Sequence, residues 1–389
     1  MNAWFRFFLL FFLQCAVLNA LLRTSPESDL TLFRIILPVA ASLFFLKNLR
    51  SAQTFFVLVV LMVLFQLISW MVSDYPLTYV QFSFFANYLV MIFIYMVVKR
   101  LLVDNSDEVF RFLFANQVAL LIALFVQYLT GYVLPNINDP EGALNAWYWN
   151  ENDASLALAS FVMLTVFSGA FFKMPLVGFS AIFLILYNSS RGAIVGVVVS
   201  LLLVFIFRQF RNGEKGIVAL LASAVLGVVV LVGVGLDPET VGDLVFSAKK
   251  VLTLDSSGEV LGSNQVRAAV LVYSMKEFID SWLLGIGAGN SILMLQSGKY
   301  PFIDVVKSIH NMPMQLLLEL GAVFFVAIFL MLKKVSPLKW PEFLVVVSSY
   351  LVVSITQSGG FIVNYFAFMC FLCSVLSKKF QEGINVKSH

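Results

Sequence analysis

Twelve long apolar runs constrain this chain more than any other feature of its sequence. Hydrophobic residues make up 60% of it and charged residues only 12%. The runs cover residues 3–22, 29–46, 54–73, 78–98, 112–130, 154–172, 174–190, 192–209, 216–235, 312–332, 342–358 and 360–377. Each has about the 17–25 residues that an α-helix needs to cross a bilayer. The sequence therefore predicts an all-α polytopic membrane protein with about twelve transmembrane helices.

The basic residues predict how these helices are oriented. Short loops on one side of the predicted membrane carry Lys47, Arg50, Lys99, Arg100, Lys173, Arg208, Arg211, Lys215, Lys333, Lys334, Lys339, Lys378, Lys379 and Lys387. Short loops on the other side hold only Arg23 and Arg191, together with several acidic residues. Because basic loops remain in the cytosol, both termini are predicted to be cytosolic.

A long polar segment separates the ninth run from the tenth. It covers residues 236–311 and contains Arg267 and His310. We therefore divide the chain into helices one to nine (1–235), a large exoplasmic loop with amphipathic helices (236–311), and helices ten to twelve with a cytosolic tail (312–389). In so apolar a chain, a long loop outside the lipid is where we expect chemistry.

Composition also excludes several classes of protein. The cytosolic loops are too short for a nucleotide-binding domain, and no Gly-rich phosphate loop is present. The formal net charge of +3 indicates no nucleic-acid partner. No cluster has metal-ligand spacing, so neither a metal nor another cofactor is expected. Cys15, Cys370 and Cys373 fall within apolar runs and are expected to be packing residues.

Arg191 stands at the predicted exoplasmic start of the eighth run, where positive charge is disfavoured. Ser189 or Ser190 can cap the helix that follows, and the N-terminus of a helix attracts anions. Gly192 allows close backbone approach, while a guanidinium adds bidentate donors. Ser190, Arg191 and Gly192 are thus a candidate phosphate site. The alternative is an interfacial arginine that binds lipid headgroups or a loop carboxylate.

Arg267 stands near the start of a helix predicted from Asn264 to Trp282. An apolar stripe follows it at spacings of three or four residues, formed by Leu271, Met275, Phe278 and Trp282. Such a helix is predicted to lie along the membrane surface or to plug the bundle from above. Arg267 either points at the same anion as Arg191 or is a snorkelling side chain.

Glycines alternate directly after this helix, in the segment Trp282–Asn290. The segment follows a helix rather than a strand, so it is not a dinucleotide-binding fingerprint. It predicts a tight, irregular turn in which Gly287 and Gly289 let the backbone approach a substrate or another helix.

His310 precedes Asn311 and the tenth run, at the predicted boundary between water and lipid. An unperturbed imidazole titrates near pH ~6.5, which suits a general base at neutral pH. The alternative is a hydrogen-bonded interfacial histidine, but its position on the face that holds Arg191 and Arg267 favours function. Glu319, inside the tenth run, points away from His310 in a regular helix and is expected to face protein in a structural role.

These motifs together resemble the O-antigen ligase and polymerase superfamily, and most strongly its ligases. The resemblance rests on Ser190-Arg191-Gly192, Arg267, the glycine turn, and His310-Asn311 followed by Gly321. It covers roughly residues 150–335 by motif and the whole chain by topology. The ligase signature is His, then Asn, Ser or Gln, nine residues, Gly, two residues, and Gly, Thr or Tyr. Phe324 stands at the last position here.

The resemblance implies a metal-independent glycosyltransferase of the bacterial inner membrane, surrounded by membrane lipids, with a periplasmic loop and active site. The donor would be a glycan on undecaprenyl diphosphate, and the acceptor a sugar hydroxyl of the lipid A core. Arg191 and Arg267 would bind the diphosphate, and His310 would deprotonate the acceptor, making inversion plausible. The implied substrate-binding residues are Ser190, Gly192, Asn311, Gly287 and Gly289.

Two other functions stay open. A polymerase of the same superfamily would use a second lipid-linked glycan as acceptor, but its members often have two sizeable periplasmic loops. Here the second-longest exoplasmic loop, residues 131–153, is short and acidic. A non-catalytic glycolipid transporter would be expected to have ionisable residues deep in several spans, whereas here they concentrate at the exoplasmic rim.

Overall fold

The computed structural model describes residues 2–19, 31–132, 144–148, 151–171, 174–188, 191–211, 263–300, 303, 309, 311–354 and 364–377. The regular structure of these residues is helical. It comprises α1 (Ala3–Val17), α2 (Leu32–Lys47), α3 (Leu49–Val72), α4 (Tyr79–Thr130), α5 (Glu151–Phe167), α6 (Pro175–Tyr187), α7 (Arg191–Arg211), α8 (Ser263–Asp280), α9 (Asn290–Gln296), α10 (Met312–Val335), α11 (Trp340–Ser354) and α12 (Tyr365–Leu376).

Every predicted apolar run overlaps one of these helices, apart from 216–235, which lies outside the described residues. Among those residues, three helical segments are long and apolar enough to cross a membrane: Ala52–Met71, Tyr79–Thr130 and Met312–Val335. Six shorter apolar helices accompany them. The total of twelve transmembrane helices and the side on which the long loop lies stay predictions.

One helix, α4, occupies two of the predicted runs and the short charged link between them. It is interrupted at Asn105, whose backbone is extended (φ −159°, ψ 89°). The Asn105 side chain accepts a hydrogen bond from the backbone N–H of Glu108 at 3.3 Å, as an N-cap residue does. The link therefore ends one helix and begins the next with no loop between them.

The main core forms where α5, α7, α11 and α12 pack together beside α4. On α7, small residues recur every four positions at Gly192, Gly196 and Ser200. A Cβ on Gly196 would lie 2.6 Å from the Cα of Val353 in α11, so the two backbones approach as closely as small residues permit. Cys15, Cys370 and Cys373 are buried with free thiols, which confirms them as packing residues.

A second, smaller core joins α8 and α9 to the first half of α10. Tyr273 of α8 stacks on Tyr300, with ring centroids 4.3 Å apart. Met294 of α9 and Leu318 of α10 are fully buried in the same cluster. Through this core, residues of the predicted exoplasmic loop are attached to the helix that follows His310 in the chain.

Candidate functional site

The turn between α8 and α9 is joined to a break in α10 by backbone hydrogen bonds. Gly321 has φ 75° and ψ 164° and interrupts that helix. In a regular helix the Ala322 N–H would bond to the Leu318 carbonyl. Here Ala322 N–H donates to Leu283 O at 2.8 Å, and Leu318 O accepts from Ile286 N–H at 2.7 Å. One helical hydrogen bond is thus replaced by two bonds to the glycine turn.

Two glycines make this contact possible. A Cβ on Gly285 would lie 2.5 Å from Gly321 N and 2.9 Å from Leu318 O. A Cβ on Gly321 would lie 2.5 Å from the carbonyl carbon of Leu284. Both residues also have positive φ, which glycine adopts without strain. Of the two partners that the sequence allowed, a substrate or another helix, the described contact of this turn is with a helix. We refer to this contact as the glycine interlock.

Polar residues of α3 and α4 surround the rest of the turn. Ser69 donates to Leu284 O at 3.3 Å, and Gln66 accepts from Ala288 N–H at 2.5 Å. Gln81 of α4 donates to Asn290 Oδ1 at 2.7 Å. Irregular backbone beside apolar helices needs protein partners for its polar groups, and these side chains supply them.

Gly287 and Gly289, predicted to bind substrate, lie inside this arrangement. A Cβ on Gly287 would be 2.6 Å from the indole nitrogen of Trp70, and one on Gly289 would be 2.7 Å from the Cα of Gln81. Each therefore has a protein neighbour. Their contact with substrate stays a prediction.

Glu319 lies at the centre of a buried polar network beside the interlock. Its carboxylate is fully buried and accepts hydrogen bonds from Tyr88 at 2.7 Å, from Gln315 at 3.1 Å, and from Ser291. The expectation that Glu319 faces protein is confirmed. The network ties α4, α9 and α10 together just before the break at Gly321.

A second carboxylate, Glu277 of α8, joins three segments at the rim of the site. Its Oε1 accepts from Tyr75 at 3.1 Å, from Tyr300 at 2.6 Å and from Lys299 at 2.5 Å. Burial by itself would raise the pKa of Glu277, but the hydrogen bonds from Lys299 and Tyr300, the charge of Lys299 and the Tyr75 hydroxyl lower it below its ordinary value. The ionised Glu277 is thus held in place by its donors and is a weak base.

Stability should therefore depend on pH through Glu277. Because its folded pKa lies below the unfolded value of ~4.3, the carboxylate stabilises the fold at higher pH, and this contribution is lost as pH falls through the folded pKa. At pH 7 we expect Glu277→Gln to destabilise the protein by about 1–3 kcal/mol, since the buried Tyr300 and the two other donors lose a charged acceptor. The measurement is thermal unfolding of both proteins in detergent from pH 7 down to 3.

The control for this experiment is Asp280→Asn, which changes an exposed carboxylate one turn further along α8. Its melting temperature should follow that of the wild type at every pH. A Glu277→Gln deficit that is equally large at pH 3 and pH 7 would contradict the assignment of an ionised Glu277.

The structure describes only some of the predicted site residues. His310 and Ser190 lie outside the described residues. Arg191 and Gly192 are the first residues of α7, and Arg267 lies in the second turn of α8; the structure describes the backbone of all three. The expectations that Arg191 begins a helix and Arg267 stands on one are confirmed.

Asn311, a predicted substrate-binding residue, is the N-cap of α10. Its Oδ1 accepts from the Met314 N–H at 3.0 Å. His310 is thus covalently linked to the residue that caps α10. The observed role of the Asn311 side chain is to fix where this helix begins.

The helices that carry these residues differ in how directly they meet. The helix of Arg267, α8, packs against α10, which begins directly after His310. The helix of Arg191, α7, packs most extensively against α11, and α11 also contacts α10. The structure thus brings the helix of Arg267 into direct contact with α10, and connects the helix of Arg191 to α10 through one intervening helix.

Sequence reasoning missed Glu277 and its tyrosine partners. Tyr75 and Glu277 are 202 positions apart, so no local pattern connects them. Phe278 is a related correction: the sequence places it on the stripe, but it is only 8% exposed because it belongs to the small core, together with Ile286.

Phe324, which departs from the ligase signature, packs on α3. Its ring stacks on Phe65 with centroids 5.5 Å apart and planes 26° apart. An aromatic ring at this position therefore has a defined partner.

No group of three or more His, Cys, Asp or Glu side chains within the described ranges could hold a metal ion.

Comparison with curated proteins and with solved structures finds no match. A family model described as O-Antigen ligase matches residues 176–329, a segment that includes α8, α9, the glycine turn and the break at Gly321. Over this segment, the chain is similar to the O-antigen ligase family.

Proposed function

We propose that this protein is an O-antigen ligase of the bacterial inner membrane. It transfers a glycan from undecaprenyl diphosphate to a sugar hydroxyl of the lipid A core at the periplasmic face, without a metal and with inversion. The observation that carries the proposal is the family match over residues 176–329. All eight candidate site residues lie inside this segment, although they come from four separate parts of the sequence.

In the proposed mechanism, Arg191 and Arg267 bind the diphosphate of the donor. Cleavage of the anomeric bond leaves negative charge on this group, and preorganised guanidinium donors stabilise charge where it develops. Neutral His310 accepts the proton of the acceptor hydroxyl as its oxygen attacks the anomeric carbon from the opposite face. The acceptor oxygen gains the bond to carbon, and the diphosphate leaves with the bonding electrons.

The packing of α8 on α10 supports the pairing of Arg267 with His310. Arg267 and His310 flank the glycine turn in sequence, and the glycine interlock fixes the end of α8 against α10 through backbone hydrogen bonds. Because rate falls steeply with misplacement of reacting groups, a rigid contact of this kind suits a catalytic role.

The second exoplasmic loop favours ligase over polymerase. Of its residues 131–153, the described stretch 144–148 is buried, and Gln127 of α4 accepts hydrogen bonds from Asn145 N–H at 3.1 Å and Ala146 N–H at 3.0 Å. This stretch packs into the helix bundle rather than extending from it. A buried stretch of this kind, in a loop of only 23 residues by sequence, supports a ligase over a polymerase with a second sizeable loop.

The test is to delete the gene in its own cell, separate the lipopolysaccharide on a gel, and probe for polymer on the lipid carrier. A ligase predicts a bare core with long polymer left on undecaprenyl diphosphate. A core that carries a single repeat unit would assign the protein as a polymerase instead. Unchanged lipopolysaccharide and carrier pools would overturn both assignments.

A further inference from the structure

Around its axis, α8 presents faces that differ in burial and polarity. Val270 and Tyr273 are each 1% exposed and belong to the face packed against α10. Leu271, Met275 and Ile279 recur every fourth residue and are 42%, 44% and 59% exposed. At ~100° per residue they form one continuous apolar stripe. α8 thus has an apolar face that the described residues leave uncovered.

A charged sector lies beside this stripe. Lys276 and Asp280, each one residue after a member of the stripe, are exposed. A helix in water would have polar residues over its whole exposed surface, and one inside the bilayer would have none. The exposed half of α8 is instead apolar on one side and charged on the other, as in helices that lie at a boundary between lipid and water.

The chain continues this apolar surface immediately beyond α8. Trp282 and Leu283 have positive φ values of 56° and 62° and are 84% and 46% exposed. A left-handed backbone is unfavourable for such bulky residues, and here the hydrogen bond from Ala322 N–H to Leu283 O helps to maintain it. The turn therefore holds an indole outward, and Trp is enriched at membrane–water boundaries.

The same surface is continuous with helices long enough to cross a membrane. Leu284 O accepts from Ser69 near the end of the span Ala52–Met71, where Met71 is 86% exposed. On α10, Val323 follows the interlock directly and is 65% exposed. Lipid that surrounds these spans would meet the apolar face of α8 at their margin.

We propose that Leu271, Met275, Ile279, Trp282 and Leu283, the α8 ridge, insert into the outer leaflet of the bilayer. The partner is the phospholipid surface, with acyl chains against the ridge and water against Lys276 and Asp280. The consequence for catalysis rests on the proposed function. Arg267 lies one turn before Leu271, so the inserted ridge would hold its helix at the depth of a membrane-anchored diphosphate.

Bromine-labelled lipids test this directly, because bromine quenches tryptophan fluorescence on contact. The full-length protein would be reconstituted in vesicles of phosphatidylcholine brominated either near the headgroup or near the acyl-chain end. We expect Trp282→Phe to lose part of the emission that lipid bromine quenches, with a larger loss for bromine near the headgroup. The matched control is Trp147→Phe, which removes a buried indole (6% exposed) and should leave this quenched component unchanged.

A second pair of variants tests the stripe itself. Ile279→Asn places an amide in the apolar sector and should reduce the lipid quenching of Trp282, whereas Asp280→Asn, in the charged sector, should not. Quenching of Trp282 by acrylamide in water but not by lipid bromine would overturn the proposal. Protection from both quenchers would also overturn it, because protein would then cover the ridge. Neither readout depends on glycan transfer, so failure here is distinguishable from failure of the proposed function.

Discussion

Replacing His310 with alanine is expected to lower glycan transfer by about 100- to 10,000-fold, the range that a general base contributes. Asn311, the neighbouring residue, caps α10 through its own side chain, so the variant should still fold. The measurement is transfer from a lipid-linked donor by purified protein, normalised to the amount of folded protein. The control is His389→Ala, which removes the other histidine of the chain and should retain full activity.

The pH profile separates a base from a hydrogen-bonded interfacial histidine. A base must be neutral to accept a proton, so wild-type transfer should fall as pH decreases through the range near ~6.5 in which imidazole titrates. The residual activity of His310→Ala should lack this step. A variant that transfers glycan at the wild-type rate, or a wild-type profile that is flat from pH ~5 to 8, would remove His310 from the mechanism.

Gly321→Ala and Gly285→Ala should each reduce transfer by about 100-fold, the effect of misplacing reacting groups by about 1 Å. Each new Cβ would meet the backbone of the opposite segment at 2.5 Å. Backbone cannot rotate away as a side chain can, so the turn and α10 must separate. This separation would displace α8, which carries Arg267, from the helix that follows His310. Activity per folded protein and thermal unfolding should be measured in parallel.

Two other glycines provide the matched controls. Gly131 and Gly298 have φ of 66° and 67°, close to 78° for Gly285 and 75° for Gly321, but a Cβ on either would meet nothing within 4 Å. Gly131→Ala and Gly298→Ala therefore introduce the strain of a positive φ, roughly 1–2 kcal/mol, without the steric contact. Gly321 carries more strain than Gly131, because its ψ of 164° lies in a region that only glycine adopts, whereas the ψ of Gly131 is 7°. If all four variants lose activity to the same extent, strain alone explains the effect and the glycine interlock has no positioning role.

Much of the helical architecture could be predicted from local patterns. Apolar runs of sufficient length predicted helices where α1 to α7 and α10 to α12 occur, because their hydrogen bonds are made within the segment. The helix predicted from Asn264 to Trp282 matches α8 (Ser263–Asp280) closely. Its end was less predictable, since Trp282 belongs to the turn, where contact with α10 overrides the helical pattern.

Local patterns in the sequence predict individual residues of the candidate site. They do not predict the contacts that join the segments on which these residues stand. The sequence indicates Arg191 because positive charge is disfavoured on the exoplasmic side, Arg267 because it is isolated at the head of an apolar stripe, and the turn because glycines alternate there. Nothing local showed that this turn meets Gly321, since backbone atoms make the contact and leave no side-chain pattern. Likewise, the hydrogen bond from Tyr88 to Glu319 joins residues 231 positions apart.

The sequence by itself determined the helical class, the approximate positions of the helices, and a set of candidate site residues that resembles the motifs of the O-antigen ligase and polymerase superfamily. These features depend on composition and on spacing within a few helical turns. Only the tertiary structure decided that α10 exchanges one of its own hydrogen bonds for two to the glycine turn. It alone decided that Glu277 joins three segments and that Phe278 faces inward while Ile279 faces out. The physical reason is that such contacts depend on which distant surfaces fit together when the helices pack.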